Sequence, residues 1–229
     1  IWRDTHLKVT GEVVTSLQVI FLIDWYFVRQ ELVLDKNEYL PYHQADNNVI
    51  VQTVTSGPDS DWASIQQSYF TLINMAKRYV FISTPYFMPG ETTLNSLKTA
   101  AMSGVDVRLL LPHKSDSWLT HWCTRSYVEE LLEAGVKIYE YQPGFLHAKS
   151  FVSDDEIGVV GTINLDYRSL YLHFEDGVWI YRNRVIQDIK DDFIQTMEYC
   201  RQIEPEFCLN RNIGLRIMQN IFRVFAPLM

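Results

Sequence analysis

Residues 79–141 read YVFISTPYFMPGETTLNSLKTAAMSGVDVRLLLPHKSDSWLTHWCTRSYVEELLEAGVKIYEY. Three short apolar runs, 79–83, 105–111 and 137–141, carry the β-branched and aromatic residues of strands. Pro85, Pro112 and Pro143 punctuate their ends. Between them, 92–102 and 125–133 have helical spacing, with Gly104 and Gly135 just past their ends. Strand, helix, strand, helix, strand at this spacing predicts a layered α/β fold.

Working outward, 49–53 reads as a strand stopped by Ser56-Gly57-Pro58-Asp59, and 62–77 as a helix with Asp59, Ser60 or Asp61 as candidate caps. Downstream, 147–152 and 157–160 read as a hairpin over Asp154-Asp155-Glu156. Residues 177–181 form a further strand and 185–201 a helix. The expected architecture is a mixed β-sheet flanked by helices on both faces.

The chain has 229 residues, 47% of them hydrophobic, which rules out a disordered or collagen-like chain. Twenty Lys and Arg against 28 Asp and Glu give a formal charge of −8, a poor basis for binding nucleic acid. Cys123, Cys200 and Cys208 show no CxxC spacing and read as thiols of a reducing compartment. The richest apolar run, 17–28, is too short to span a bilayer and contains Gln18 and Asp24. No signal-peptide pattern opens the chain, and a start at Ile1 in place of Met points to a fragment of something longer.

A weak internal echo runs through the chain. Asp4 precedes apolar Leu7 and Val9 and then a helical stretch, 13–28. Glu175 precedes Val178 and Ile180 and then the helix 185–201. That pattern suggests the tail of one repeat followed by a whole second one.

The chemistry concentrates in residues 144–180, GFLHAKSFVSDDEIGVVGTINLDYRSLYLHFEDGVWI. His147, Lys149 and Asp154 form H-x-K-x4-D. After six further residues come Gly161 and Thr162, with Asn164 two beyond. On a strand, His147 and Lys149 share one face, since alternate side chains do. An imidazole beside an ammonium suits an anionic centre. Lys149 and Asn164 can hold phosphate oxygens while the imidazole attacks phosphorus or moves a proton. A bare H-x-K is common and means little; the fixed spacing of the remaining positions takes the pattern beyond coincidence.

These residues resemble the signature of the phospholipase D superfamily, H-x-K-x4-D-x6-G-[ST]-x-N. Within it the chain resembles bacterial cardiolipin synthases. The supporting stretches are WRDTHLKVTG from Trp2, SGPDSDW from Ser56, STPYFMPGE from Ser83 and GVDVRLLLP from Gly104. The resemblance implies a phosphatidyltransferase that joins two phosphatidylglycerol molecules through a phosphohistidine, releases glycerol, and needs no metal or cofactor. It implies two motifs meeting across a pseudo-twofold axis, and a bacterial cell membrane location. It places Glu175 as the carboxylate bonded to His147, and Asp4 as the acid supporting the other motif's His. Asp154, though part of the motif, is expected at the hairpin turn in a structural role.

Only one full H-x-K-x4-D is present. The expected organisation is therefore residues 1–40 as the tail of a first repeat, 41–205 as the second catalytic repeat and 206–229 as an amphipathic segment. The implied partners are phosphatidylglycerol and membrane lipid, with the missing amino-terminal half or a second copy completing the site. His147 is expected as the acid/base partner, and as nucleophile otherwise. The same chemistry also serves a phosphodiesterase acting on lipid or other phosphodiesters, and the isolated chain is expected to be inactive or nearly so.

Further substrate contacts are expected from Thr162, Ser169, Tyr86 in TPYF, and Arg125. His113 and Asp116, after a strand end, are weaker candidates, and Trp118 and Trp122 read as packing residues. In 213–229, Leu215, Met218, Ile221, Phe222 and Phe225 recur at helical spacing, with Arg216 and Arg223 on another side. That segment either docks on protein or lies in a membrane interface.

Overall fold

Eight strands of the chain hydrogen-bond into one mixed sheet. The structure is a computed structural model that describes residues 2–33, 36–40, 45, 49–206 and 213–228. The strands are β1 (Trp2–Arg3), β2 (Ile50–Ser56), β3 (Tyr79–Ser83), β4 (Phe87–Met88), β5 (Asp106–Pro112), β6 (Lys137–Tyr141), β7 (Phe145–Leu146), β8 (Ser150–Ser153), β9 (Ile157–Gly161), β10 (Leu165–Asp166), β11 (Glu175–Tyr181) and β12 (Cys200–Gln202). The helices are α1 (Glu12–Arg29), α2 (Lys36–Tyr39), α3 (Ser64–Met75), α4 (Glu91–Met102), α5 (Trp118–Glu133), α6 (Val185–Met197) and α7 (Ile213–Val224), with a π-helical turn at Arg168–Leu172. The sheet order is β12-β6-β5-β3-β8-β9-β11-β2. β3, β5 and β6 run parallel through right-sized helical crossovers, and the remaining neighbours are antiparallel.

Alternation along each strand builds two cores. Val80 and Ile82 of β3, Val107 and Leu109 of β5, and Phe151 of β8 face Ile65 and Ile73 of α3, Leu94 and Leu97 of α4, and Leu131 of α5. Phe81, Leu110, Val152 and Val160 face Ile186, Ile189 and Phe193 of α6. Both faces are covered, so strands such as β3 are buried at every position.

Several boundaries differ from the sequence expectation. The last long helix stops at Met197, not 201, because Cys200–Gln202 pairs antiparallel with Tyr139–Tyr141 as the edge strand β12. α5 starts seven residues earlier than its apolar pattern suggests. α3 starts at Ser64 with no side-chain cap, so Asp59, Ser60 and Asp61 do not cap it. The expected strand from His147 begins only at Ser150. The hairpin over Asp154 and Asp155 forms with both residues in the left-handed region, φ 56° and 60°. Cys123 is buried, Cys200 is partly buried, and Cys208 lies outside the described residues.

The motif glycine has a packing reason. Gly161 pairs with Gly177 across β9 and β11. A Cβ on Gly161 would stand 2.3 Å from the Asp176 carbonyl oxygen and 2.6 Å from the Gly177 Cα. Two facing glycines let the strands close up where the chain leaves the sheet to present Thr162 and Asn164.

Candidate active site

The amino-terminal segment is stitched onto the strand that leads into the motif. β1 pairs in parallel with β7, Trp2 opposite Phe145 and Arg3 opposite Leu146. The His147 amide then donates to the Arg3 carbonyl at 2.7 Å. Arg3 and Thr5 both clamp onto α6. The Arg3 guanidinium pairs with Asp192 and donates to Thr196 Oγ1 at 2.8 Å; Thr5 Oγ1 donates to Asp192 Oδ2 at 2.8 Å. Asp4, between them, is turned toward the motif.

Asp4 Oδ2 lies 2.8 Å from His147 Nδ1. On the ring's other side, Lys149 Nζ lies 2.8 Å from His147 Nε2 and 2.6 Å from the His147 carbonyl oxygen. With Nδ1–H donating to Asp4, the Nε2 lone pair faces the ammonium. His147 and Lys149 thus sit together although the segment joining β7 and β8 is not itself in the sheet ladder. The Trp2 ring lies 4.8 Å from the imidazole, tilted by 53°, and Phe145 lies 5.9 Å away.

Burial lowers the Lys149 pKa to about 8, against the opposing pull of Asp4, Glu175 and Asp166. Partial burial pushes the Asp4 carboxyl up. The hydrogen bond with His147, the Thr5 amide and the Lys149 charge outweigh this and hold it below the usual carboxylate range.

Glu175 does not bond His147. That expectation is corrected, together with the assignment of Asp4 to the other motif's His: Asp4 takes the His147 position. Glu175 instead accepts from Thr162 Oγ1 and, at 2.8 Å, from Ser169 Oγ, with His173 Nδ1 3.8 Å away. Asn164 Nδ2 donates to Ser169 Oγ at 3.0 Å, while Asn164 Oδ1 has no partner among the described residues. Burial raises the Glu175 pKa, as it does that of nearby Asp166. The Lys149 carbonyl receives the Gly161 amide at 3.5 Å, which sets this second polar group beside the first.

The other motif member lies away from this chemistry. Asp154 sits at the far end of β8, seven residues on, roughly 20 Å along an extended chain. Its carboxylate accepts the amides of Lys77, Arg78 and Tyr79 at 2.7–2.9 Å. It fastens the start of β3 to the hairpin and is not a catalytic group.

Arg125 is corrected as well. It is paired with Glu140, whose side chain is 3% exposed and which also meets His113 Nδ1 at 3.2 Å and Arg201 at 3.1 Å. Arg125 thus serves a buried ion cluster between α5, β6 and β12, and His113 belongs to it. Tyr86 reaches Asp116 Oδ2 at 2.6 Å, with its ring 6.2 Å from Phe145, at the margin of the site.

Sequence reasoning missed Trp2 as an aromatic wall and Asp4 as the partner of His147. The signal for Asp4 was available in WRDTH, but nothing in one dimension says which imidazole it serves.

The fold and these motif residues define a phospholipase D-like protein. Among solved structures, the fold is similar to the phosphatidylserine synthase of Haemophilus influenzae, with TM-score 0.63 and 14% identity over 81% of this chain and 49% of that one. It is also similar to Nuc of Salmonella typhimurium, a phospholipase D family member, with TM-score 0.60 and 15% identity over 69% of this chain and 99% of that one.

Residues 69–197 match the family described as cardiolipin synthase, PLD-like domain, and the chain belongs to that family. It is 43% identical over its whole length to a cardiolipin synthase of Geobacillus kaustophilus and 42% identical to cardiolipin synthase 2 of Bacillus cereus. It spans about 46% of the first relative's length and 45% of the second's. Among the described residues no helix is long and apolar enough to cross a membrane.

Proposed function

We propose that this chain is the second catalytic half of a membrane-associated phosphatidyltransferase that makes cardiolipin from two phosphatidylglycerol molecules. The observation that carries this reading is the line Asp4–His147–Lys149, a carboxylate-oriented imidazole with its free nitrogen against an ammonium.

One imidazole attacks the phosphorus of phosphatidylglycerol. A nitrogen–phosphorus bond forms, the phosphorus–oxygen bond to glycerol breaks, and the leaving oxygen takes a proton from the second imidazole. The second imidazole then removes the proton from the hydroxyl of another phosphatidylglycerol, whose oxygen displaces the histidine. In this scheme His147 is the acid/base partner and the first-motif imidazole carries the phosphatidyl group. Lys149 and Asn164 hold the phosphate oxygens, and Asp4 fixes the His147 tautomer and stabilises its protonated form. Thr162 and Ser169 hold Glu175 in place.

The crossed placement of the acids supports a two-half enzyme. Asp4, from the end of the preceding repeat, serves this repeat's His147. By the same symmetry Glu175 stands ready for an imidazole from the missing half. Residues 1–40 then close the first repeat, 41–205 form the second, and 206–229 are an appended segment. α1 has no buried residue and leaves Phe21, Ile23 and Val28 more than half exposed, which fits a surface that the other half covers.

The test is product analysis of the full-length enzyme on phosphatidylglycerol in isotope-labelled water. Cardiolipin and free glycerol are expected, with His147→Ala abolishing both. Label accumulating in phosphatidic acid would show a hydrolase instead.

A further inference from the structure

α7 is anchored through its polar side and turns its apolar side outward. Gln219 is 4% exposed, and Arg223 pairs with Glu130 and Glu91 while stacking over Tyr127 at 4.3 Å. Phe222 packs edge-on to Trp118 at 5.7 Å. One turn apart on the opposite side, Ile217 is 57%, Ile221 53% and Val224 75% exposed, with Met218 and Phe225 alongside. A helix on a globular surface normally buries such a stripe.

We propose that this stripe is a docking surface for an anionic lipid bilayer. Charge selects that occupant. In a chain of net charge −8, residues 211–229 carry Arg211, Arg216 and Arg223 and no acidic residue. An apolar stripe in a segment of basic sequence matches acyl chains beneath phosphate headgroups. Position agrees with this. Exposed Trp118 extends the stripe and follows Asp116, which holds Tyr86. The Tyr86 ring then leads through Phe145 to His147 in steps of about 6 Å. The stripe therefore lies at the end of the molecule that carries the site. A bilayer seated there would bring headgroup phosphates toward Lys149. The proposal deepens the lipid-substrate reading given above, but is tested without turnover.

The test is flotation of the purified chain with vesicles of phosphatidylglycerol and phosphatidylcholine, against vesicles of phosphatidylcholine alone. Preferential binding to the anionic vesicles is expected. Ile217→Asp with Ile221→Asp should lower partitioning at least about tenfold. Arg216→Glu should remove the preference for anionic vesicles. A Val224→Cys chain carrying an environment-sensitive fluorophore should blue-shift on those vesicles, which guards against a misfolded double variant. Three results would overturn the proposal: binding unaltered by the double variant, no blue shift, or self-association through this stripe without lipid. Loss of cardiolipin formation with binding intact would instead count against the catalytic reading alone.

Discussion

Asp4 and His147 stand 143 positions apart in the chain and meet at 2.8 Å. Arg3 and Thr5 make that meeting possible, because both grip Asp192 and leave Asp4 only one direction to face. The pair makes the H-x-K-x4-D motif dependent on the amino-terminal segment.

Asp4→Asn in the full-length enzyme should keep the fold and lower kcat by about 10²–10⁴, the usual worth of an oriented acid/base imidazole. Asp192→Ala, which touches no substrate, should act through Asp4. It should lower kcat with little change in KM and shift the pH profile in the same direction as Asp4→Asn. Steady-state rates across pH would check both, and an unchanged profile in Asp192→Ala would refute the clamp.

The alkaline limb of kcat/KM should fall near pH 8, where buried Lys149 gives up its proton. Lys149→Arg, even if slower, should carry that limb upward, since a guanidinium stays charged. Stability should run the other way. The unfolded chain holds this proton to the ordinary lysine value and the folded chain only to about 8, so this group favours folding increasingly as pH rises from about 8 to the ordinary value. Thermal melts of wild type and Lys149→Met should therefore show a difference that changes above pH 8 and is flat below it.

Arg125→Met should destabilise by about 3 kcal/mol, because Glu140 would be left buried with only Arg201 and His113 to meet its charge. Arg125→Met with Glu140→Leu should recover much of that loss. Denaturant titrations measure it. KM for phosphatidylglycerol should stay unchanged in the folded fraction, which separates an ion-cluster role from headgroup binding.

Asp154→Ala should cost about 2–3 kcal/mol, for three lost charge-assisted bonds and a left-handed backbone that alanine tolerates poorly. Asp154→Asn should cost less. These bonds hold the carboxyl below its ordinary value despite burial, so their stabilisation is full above that value and disappears as pH falls through the folded one. Urea midpoints at neutral and acid pH would show the gap between wild type and Asp154→Ala closing on the acid side.

Local physics made much of the fold legible. Five residues of YVFIS, buried on both sides, can only be an inner strand, and Pro112 and Gly135 punctuate their elements wherever they occur. The edge strand Cys200–Gln202 was not legible. Its residues continue the helical pattern of α6, and only pairing with β6 pulls them into the sheet. His147 and Lys149 declared themselves as neighbours two residues apart, and Asn164 by its fixed spacing.

Sequence alone determined which chemical groups this protein owns and the alternation that layers them, because periodicity and turn chemistry act over a few residues. Tertiary structure alone decided the partnerships: Asp4 for His147, Glu175 for Thr162 and Ser169, Arg125 for Glu140. Those are contacts across loops whose closure the chain encodes collectively, and a carboxylate carries no local mark of the cation or imidazole it will find once the sheet is assembled.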